Sequence, residues 1–471
     1  MPTNPQNPIV VGLDIGTTKI ACIVAQRDQY GKVKILGMGK VPSHGVQKGE
    51  VSNIKLTTDA IMEAVAIAQQ ESGHRITSVF VGIAGQHISS KQSRDIYTLA
   101  NPDEEITKED IRMMVQNMHR IALEPGERII TVLPQEFRVD NYQSTTNPVG
   151  MCGSRLEADF HIITGKVTAA QNIKKCVEKA GLKMAGLFLE PLASSAAVLQ
   201  PDELEAGVVL VDIGGGTTDV AIFKNKIIRH TAVIPFAGNI ITEDIMEGCK
   251  LLKPQAEKLK TAFGSAIPDE MIENEIISIP GIAGRDRKEI YMRTLASVIH
   301  ARMEEILALV AIEIRNSQLV NSLNAGIVIT GGGSQLKHLK QLAEFVTHLS
   351  ARIGHPAAYV GKGNKHDYSH PMFATGIGLI LEGYKEFDSM TDEVRAEFFP
   401  ELYIASEPVV NTPIVTETPV QEESTPETAP ELDEVKPVHT DTKQQNKNLL
   451  QSVADYFKNW FEDGAVNGDY N

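Results

Sequence analysis

The chain has 471 residues, 42% of them hydrophobic, too many for one core and enough for two to four domains. Its formal net charge of −15 argues against a nucleic-acid partner. Cys22, Cys152, Cys176 and Cys249 are too scattered for a zinc site, no apolar run reaches about 18 residues, and the opening MPTNPQNP has neither a basic nor an apolar stretch; a reduced, cytosolic protein with no signal peptide and no spanning helix is expected.

In chain order, residues 10–25 read VVGLDIGTTKIACIVA, which predicts strand, tight turn, strand. The turn carries Asp14, Gly16, Thr17, Thr18 and Lys19. Residues 32–39 alternate like a third strand, and 43–53 form a polar loop. Residues 56–72 have helical spacing, with Ile61, Ala64, Val65 and Ala68 on one face. Residues 77–84 read as a strand. Residues 86–163 break the pattern: a polar stretch, a helix at 107–120 opening on a capping-box-like Thr-Lys-Glu-Asp, a strand at 128–140 with Pro134, a turn at 147–153, and a strand at 155–164. They predict a compact α+β insert. A helix follows at 166–180, with a glycine at its end.

Residues 208–223, VVLVDIGGGTTDVAIF, repeat the first device, Asp212 following Asp14 by 198 residues. Gly214, Gly215 and Gly216 permit positive φ and close approach of a ligand. Such a turn gathers N–H groups into one concavity, which suits a phosphate, and Thr217 and Thr218 add hydroxyls. Asp14 and Asp212, at strand ends, can hold the water shell of Mg²⁺. A lone glycine-rich hairpin is weak evidence. Two copies point to two similar domains facing each other across a cleft. Residues 250–305 read as largely helical. Residues 326–333, GIVITGGG, run a strand into Gly331, Gly332 and Gly333 with a helix expected next, and a helix N-terminus suits a nucleotide. Neither the P-loop lysine nor the dinucleotide spacing is there.

Two phosphate hairpins and a late strand ending in three glycines resemble the actin, sugar-kinase and heat-shock-chaperone ATPase superfamily. That resemblance implies ATP and Mg²⁺ in an interdomain cleft. Glu190-Pro191-Leu192-Ala193 resembles the helix start that carries a water-positioning acid, Glu190. Residues 256–260 resemble the helix whose acid and lysine, Glu257 and Lys260, face ribose and adenine. Residues 233–245 place Gly238 and Asn239 at the phosphates, although Ala237 stands where a second glycine is usual, and 371–381 resemble the superfamily's last helix. Within that superfamily, LPQEFRVD at 133–140 and NPVGMCGSRLEADFHIIT at 147–164 closely resemble the bacterial cell-division FtsA family. The loop 43–53 and Val81-Gly82-Ile83-Ala84-Gly85 look like it too, and the likeness runs from about residue 10 to 383.

The resemblance implies an α/β, actin-like two-domain ATPase fold. Its first domain core is 1–85, continued by 164–198 and about 366–390. Its insert is 86–163, its second domain core is 199–232 continued by 306–365, and its small subdomain 233–305 faces FtsZ. It implies a protein that tethers filaments of the tubulin-like FtsZ to the cytoplasmic face of the inner membrane at the division site. Self-association into actin-like filaments, recruitment of later division proteins and slow or regulatory ATP hydrolysis belong to the same expectation. Alternatives are a pilus-assembly actin homologue and a carbohydrate kinase, since GLDIGTT also opens such kinases. No string for a sugar-binding catalytic base is found, and a chaperone's peptide-binding domain has no room.

Residues 406–447 hold nine acids and three lysines, net −6, with many prolines, and predict a disordered acidic linker. Residues 448–463 then return to helical spacing, with Leu449, Leu450, Val453, Tyr456, Phe457, Trp460 and Phe461 on one face. A tethered helix has no core of its own for this face, so it docks on protein or lies on a membrane. The family likeness favours the membrane, with Leu449, Leu450, Val453, Phe457, Trp460 and Phe461 as the inserting residues. Lys447 and Lys458 against Asp455, Glu462 and Asp463 make the helix slightly acidic, so apolar insertion must supply most of the binding.

Overall fold

The repeated hairpin string folds twice into the same five-stranded sheet. The computed structural model describes residues 8–28, 32–99, 101–140, 142, 144–271, 275–279, 287–356 and 368–399; the linker and the terminal helix expected at 406–463 lie outside the described residues. In the first domain, β1 (Ile9–Ile15) and β2 (Lys19–Arg27) pair antiparallel about the turn, and β3 (Val33–Pro42) continues the sheet. The polar loop folds back on itself through the two-residue strands β4 (Val46–Gln47) and β5 (Glu50–Val51). Helix α1 (Ile54–Ser72) starts on the Asn53 side chain, which accepts from the Leu56 N–H, and stops at Gly73 in the left-handed region. It buries Ile61, Ala64, Val65 and Ala68, the face expected from spacing. Strand β6 (Ser78–Ile83) then runs parallel to β1.

The insert is a three-stranded antiparallel sheet, β7 (Ser89–Thr98), β8 (Glu127–Val139) and β9 (Arg155–Lys166), with β9 central and α2 (Lys108–Met118) against it. Thr107 and Asp110 close the capping box: the Asp110 N–H donates to Thr107 Oγ1 at 3.3 Å and the Thr107 N–H to Asp110 Oδ2 at 2.8 Å. Pro134 sits on β8, an outer strand, at a register shift, where a missing donor is tolerated. Ile106, Met114, Phe137, Phe160 and Ile162 fill the insert's own core. The chain returns through α3 (Val167–Lys179), β10 (Lys183–Leu189), α4 (Glu190–Val198) and α5 (Pro201–Ala206).

The second domain repeats the first: β11 (Val208–Ile213), β12 (Thr218–Lys224) and β13 (Ile227–Ile234), then α6 (Gly238–Gly248), α7 (Lys253–Phe263), β14 (Ile276–Ile279), β15 (Lys288–Tyr291), α8 (Met292–Asn316), β16 (Ile327–Thr330), α9 (Leu339–Thr347) and β17 (Ala351–Ile353). Its sheet order β13-β12-β11-β16-β17 matches β3-β2-β1-β6-β10 position by position. Finally α10 (Ala374–Ser389) and α11 (Asp392–Phe398) return to the first domain. A Cβ on Gly12 of β1 would lie 2.8 Å from the Gly376 carbonyl of α10, and one on Gly378 only 1.8 Å from the Ala193 carbonyl of α4. Glycine at these places lets α4 and α10 lie tight against each other and the sheet, beneath the cleft.

Strands β4, β5, β7, β10, β13 and β17 were not read from sequence. β7 is almost wholly polar and packs no fully buried side chain; β10 is a short apolar run without clean alternation, and Arg229, His230 and Thr231 interrupt β13. The stretch expected to be largely helical contains the hairpin β14–β15. After β16 the three glycines do not begin a helix. A 3₁₀ turn, Gly332–Gln335, intervenes, and α9 starts at Leu339.

Candidate functional site

Both hairpins close with the same bond. The Gly16 N–H donates to the Lys19 carbonyl, and the Gly214 N–H to the Thr217 carbonyl, each at 3.0 Å. The two tips then touch. A Cβ on Gly215 would stand 2.3 Å from Thr18 Cγ2, and one on Gly216 2.5 Å from Thr17 Oγ1. These glycines are demanded by the facing domain's threonines. A cavity of about 470 Å³ opens beside the contact, and Asp14, Gly16, Thr17, Thr18, Lys19, Gly214, Gly215, Gly216 and Thr217 all line it. Its size is ordinary for a small-molecule site. Thr218, expected to offer a hydroxyl here, does not line it. Thr218 is fully buried and donates its Oγ1 proton to the Phe236 carbonyl at 2.8 Å, because a strand residue next after a cavity-facing one points to the other face.

The acids gather at the floor. Asp14 pairs with the Lys19 ammonium. Asp212 Oδ2 accepts from Ser194 Oγ at 2.6 Å and Thr375 Oγ1 at 3.2 Å, so α4 and α10 both anchor it. Glu190, at the start of α4, lies against Gly82, where a Cβ would stand 2.7 Å from its Cγ. Burial, with Asp14, Asp219 and Asp212 close by, holds the Glu190 carboxyl well above the usual carboxylate range. Burial also raises Asp212, against the pull of the Ser194 hydroxyl and with Asp14 adding to the rise. Asp219, opposite Asp212 in the hairpin register, is pushed up to about 8 by burial and by Asp212, and its Oδ1 has no hydrogen-bond partner among the described residues. Burial opposes the charge on Lys19, but Asp14, with Asp212 and Glu190, outweighs it and the ammonium titrates above its ordinary value.

The far wall comes from the second domain. Lys260 Nζ donates to the Gly238 carbonyl at 2.8 Å, to Thr242 Oγ1 at 2.7 Å and to Glu257 Oε2 at 2.8 Å. Burial lowers the Lys260 pKa, and Glu257 only partly restores it. The Gly238 and Asn239 N–H groups, expected at the phosphates, donate to the Gly214 and Gly215 carbonyls at 3.1 and 2.8 Å. They line the cavity but serve here to tie α6 to the second hairpin. Gly331 has φ +85°, and a Cβ there would stand 2.2 Å from Asp212 Oδ1; one on Gly333 would meet Ile213. A Cβ on Gly332 would meet nothing within 4 Å, so that glycine is the open one of the three.

The structure therefore brings Asp14, Glu190, Asp212, Glu257, Lys260, Gly331, Gly332 and Gly333 to the one cavity as the sequence reading expected. Sequence reasoning noted Asp219 but gave it no role, and it missed Gly49, Ser194, Gln335, Leu336, Lys337 and Thr375. A signal existed for two of these: Ser194 lies four residues after Glu190 on one helix, and Asp219 faces Asp212 across the hairpin. Among the described residues no three His, Cys, Asp or Glu side chains form a protein-only metal cage. Five acids, Asp14, Glu190, Asp212, Asp219 and Glu257, and three lysines, Lys19, Lys260 and Lys337, line the cavity, so donors, carboxylates and apolar walls face one space.

Two family models match the chain: one described as cell division protein FtsA over residues 209–378, the other as an SHS2 domain inserted in FtsA over residues 85–164. The cell division protein FtsA of Pseudomonas aeruginosa is 40% identical over 392 residues, 83% of this chain and 93% of the relative. That of Escherichia coli is 37% identical over 383 residues, 80% of this chain and 90% of the relative. Among solved structures, a PilM-PilN type IV pilus biogenesis complex covers 79% of this chain and 98% of its own at a TM-score of 0.59 and 15% identity, a likeness of fold alone.

Proposed function

The chain belongs to the FtsA family of cell-division proteins and has a two-domain actin-like fold, and from that premise we propose that it binds Mg-ATP in its cleft and links FtsZ filaments to the cytoplasmic membrane. The observation that carries the nucleotide reading is the pair of matching hairpins, tip to tip, over a floor of buried carboxylates. Thr17, Thr217, Lys19 and the turn amides would donate to phosphate oxygens. Asp14 and Asp212 would hold the metal through its water shell, since Mg²⁺ needs only one or two carboxylates beside phosphate. When bound, the ion supplies positive charge against the phosphates. Asp219, with an unpartnered oxygen, would take a bound water, and Glu190 would orient one. Lys260 and Glu257 would face the ribose side.

The membrane half of the proposal rests on residues 448–463, an apolar stripe beyond an acidic tether. Family likeness points to residues 233–305 for FtsZ, and to actin-like self-association and later division proteins as further partners. No helix among the described residues is long and apolar enough to cross a membrane, so attachment through the tail helix is the route proposed. Two measurements test the whole. Titration calorimetry of the full chain with Mg-ATP should show saturable binding, and no heat together with no competition against a fluorescent ATP analogue would refute the nucleotide site. Flotation with vesicles and FtsZ should carry FtsZ upward with the full chain but not with residues 1–405. Equal flotation by both forms would refute the tail.

A further inference from the structure

The turn that lines the cavity is joined by direct contacts to both points where the chain crosses between the first domain and the insert. Thr17 Oγ1 accepts the Gly49 N–H at 3.1 Å, and both residues line the cavity. The threonine hydroxyl keeps its own proton for a ligand oxygen. Gly49 has φ +79°, and its backbone lies on Gly85: a Cβ on Gly49 would stand 2.8 Å from Gly85 Cα. The next residue, Glu50, brings Oε1 to 3.2 Å from His87 Nδ1. The His87 side chain is wholly buried. Its ring lies between the outgoing and returning passages, 3.0 Å from where a Cβ on Gly85 would stand and 3.2 Å from where one on Gly165 would stand. Gly85 leads into β7, and Gly165 is on the end of β9, which runs into α3. His87 Nε2 has no partner among the described residues, so no hydrogen bond on that side fixes the ring.

We propose that the loop at residues 45–51 and the His87 ring form a mechanical link through which nucleotide in the cleft sets the position of the insert. Gly49, Gly85 and Gly165 bring backbone directly onto the turn or the ring, and the Glu50 carboxylate couples the loop to the ring. Close-packed contacts of this kind pass small displacements on. A ligand that draws Thr17 toward it takes the Gly49 amide with it, and Gly85 and Glu50 follow. The ring then shifts against Gly165, and both passages move together. This link rests on the proposal that the cleft holds Mg-ATP.

Hydrogen exchange of the full chain with and without Mg-ATP tests it, read at residues 84–89 and 163–167 and paired with calorimetry. Mg-ATP should change exchange at both passages by about threefold or more. Glu50→Ala, whose side chain is partly exposed and lies outside the cavity lining, should bind Mg-ATP within about twofold of the parent and lose that response, while Glu50→Gln keeps it. Unresponsive passages in a parent protein that calorimetry shows binding Mg-ATP would overturn the link alone. So would a full response in Glu50→Ala. Absence of binding by the parent would overturn the nucleotide reading, and the link with it.

Discussion

Gly215 and Thr18 hold the two domains together at the tips of their hairpins: a Cβ on Gly215 would stand 2.3 Å from Thr18 Cγ2. The turn proposed to bind phosphate is thus also a point of contact between the two domains. Gly215→Ala forces the tips apart. Overpacking of this kind costs about 1–3 kcal/mol. We expect a lower melting temperature in Gly215→Ala and recovery of much of the loss in Gly215→Ala with Thr18→Ala. A double variant that melts no higher than Gly215→Ala shows that the contact is not the cause.

Asp212 has two tasks, since it anchors two hydroxyls and faces the site. Asp212→Asn keeps an acceptor for Ser194 and Thr375 and removes the charge. It should fold as the parent does and weaken Mg-ATP by about tenfold, about 1.4 kcal/mol. Asp212→Ala leaves the two hydroxyls with only each other, and should also lower stability by about 1–3 kcal/mol. Calorimetric affinity unchanged in Asp212→Asn removes Asp212 from the site.

The three glycines after β16 should respond differently. Gly331→Ala sets a Cβ against Asp212 Oδ1 at positive φ, so stability should fall. Gly332→Ala meets no protein atom within 4 Å and should melt like the parent while narrowing the cleft to a ligand. Paired melting and Mg-ATP titration separate the two; equal melting losses contradict the geometry.

The insert docks on β13 through polar contacts. Gln135 Nε2 donates to the Ile228 carbonyl at 2.7 Å, and His161 Nε2 lies 3.2 Å from Thr231 Oγ1. Burial, with His230 nearby, pushes the His161 imidazole down to about 4. An unfolded histidine titrates near about 6.5. Between these values the unfolded chain carries a proton that the folded one lacks, so stability falls as pH drops through that window, by up to about 1.4 kcal/mol per pH unit from this group. Denaturation midpoints from about pH 7 to pH 5 should slope less in His161→Gln than in the parent. Identical slopes show that another group carries the effect.

Burying a large apolar side chain is worth roughly 1.5–3 kcal/mol, so the apolar residues spaced through 449–461 would hold the proposed tail helix on a membrane without help from charge. A basic cluster would add about 1 kcal/mol per residue, and this helix is slightly acidic. Phe457→Glu with Trp460→Glu should abolish vesicle binding and spare ATP and FtsZ binding, and salt should hardly affect the parent's vesicle binding. Trp460 is the only tryptophan, so its emission should shift blue with neutral vesicles. A shift with FtsZ or with the tail-less chain instead makes the helix a protein-docking element.

The hairpins, the capping box at Thr107 and the apolar face of α1 were legible in the sequence because each is decided within a few residues. A glycine-rich turn between two apolar runs can hardly fold otherwise, and its repetition after 198 residues already implied two matching domains. The family likeness named the cavity's main side chains for the same reason, as short strings. What only the tertiary structure decided depends on groups far apart in the chain. Gly215 meets Thr18, Ser194 and Thr375 converge on Asp212, the Gly238 and Asn239 amides are taken by carbonyls of the second hairpin, and His87 lies between Gly85 and Gly165. Strands β7, β10 and β13 stayed hidden because their partners, not their own patterns, make them strands. A residue's neighbours along the chain fix its backbone preference, but which surface it meets is set by the packing of the whole fold.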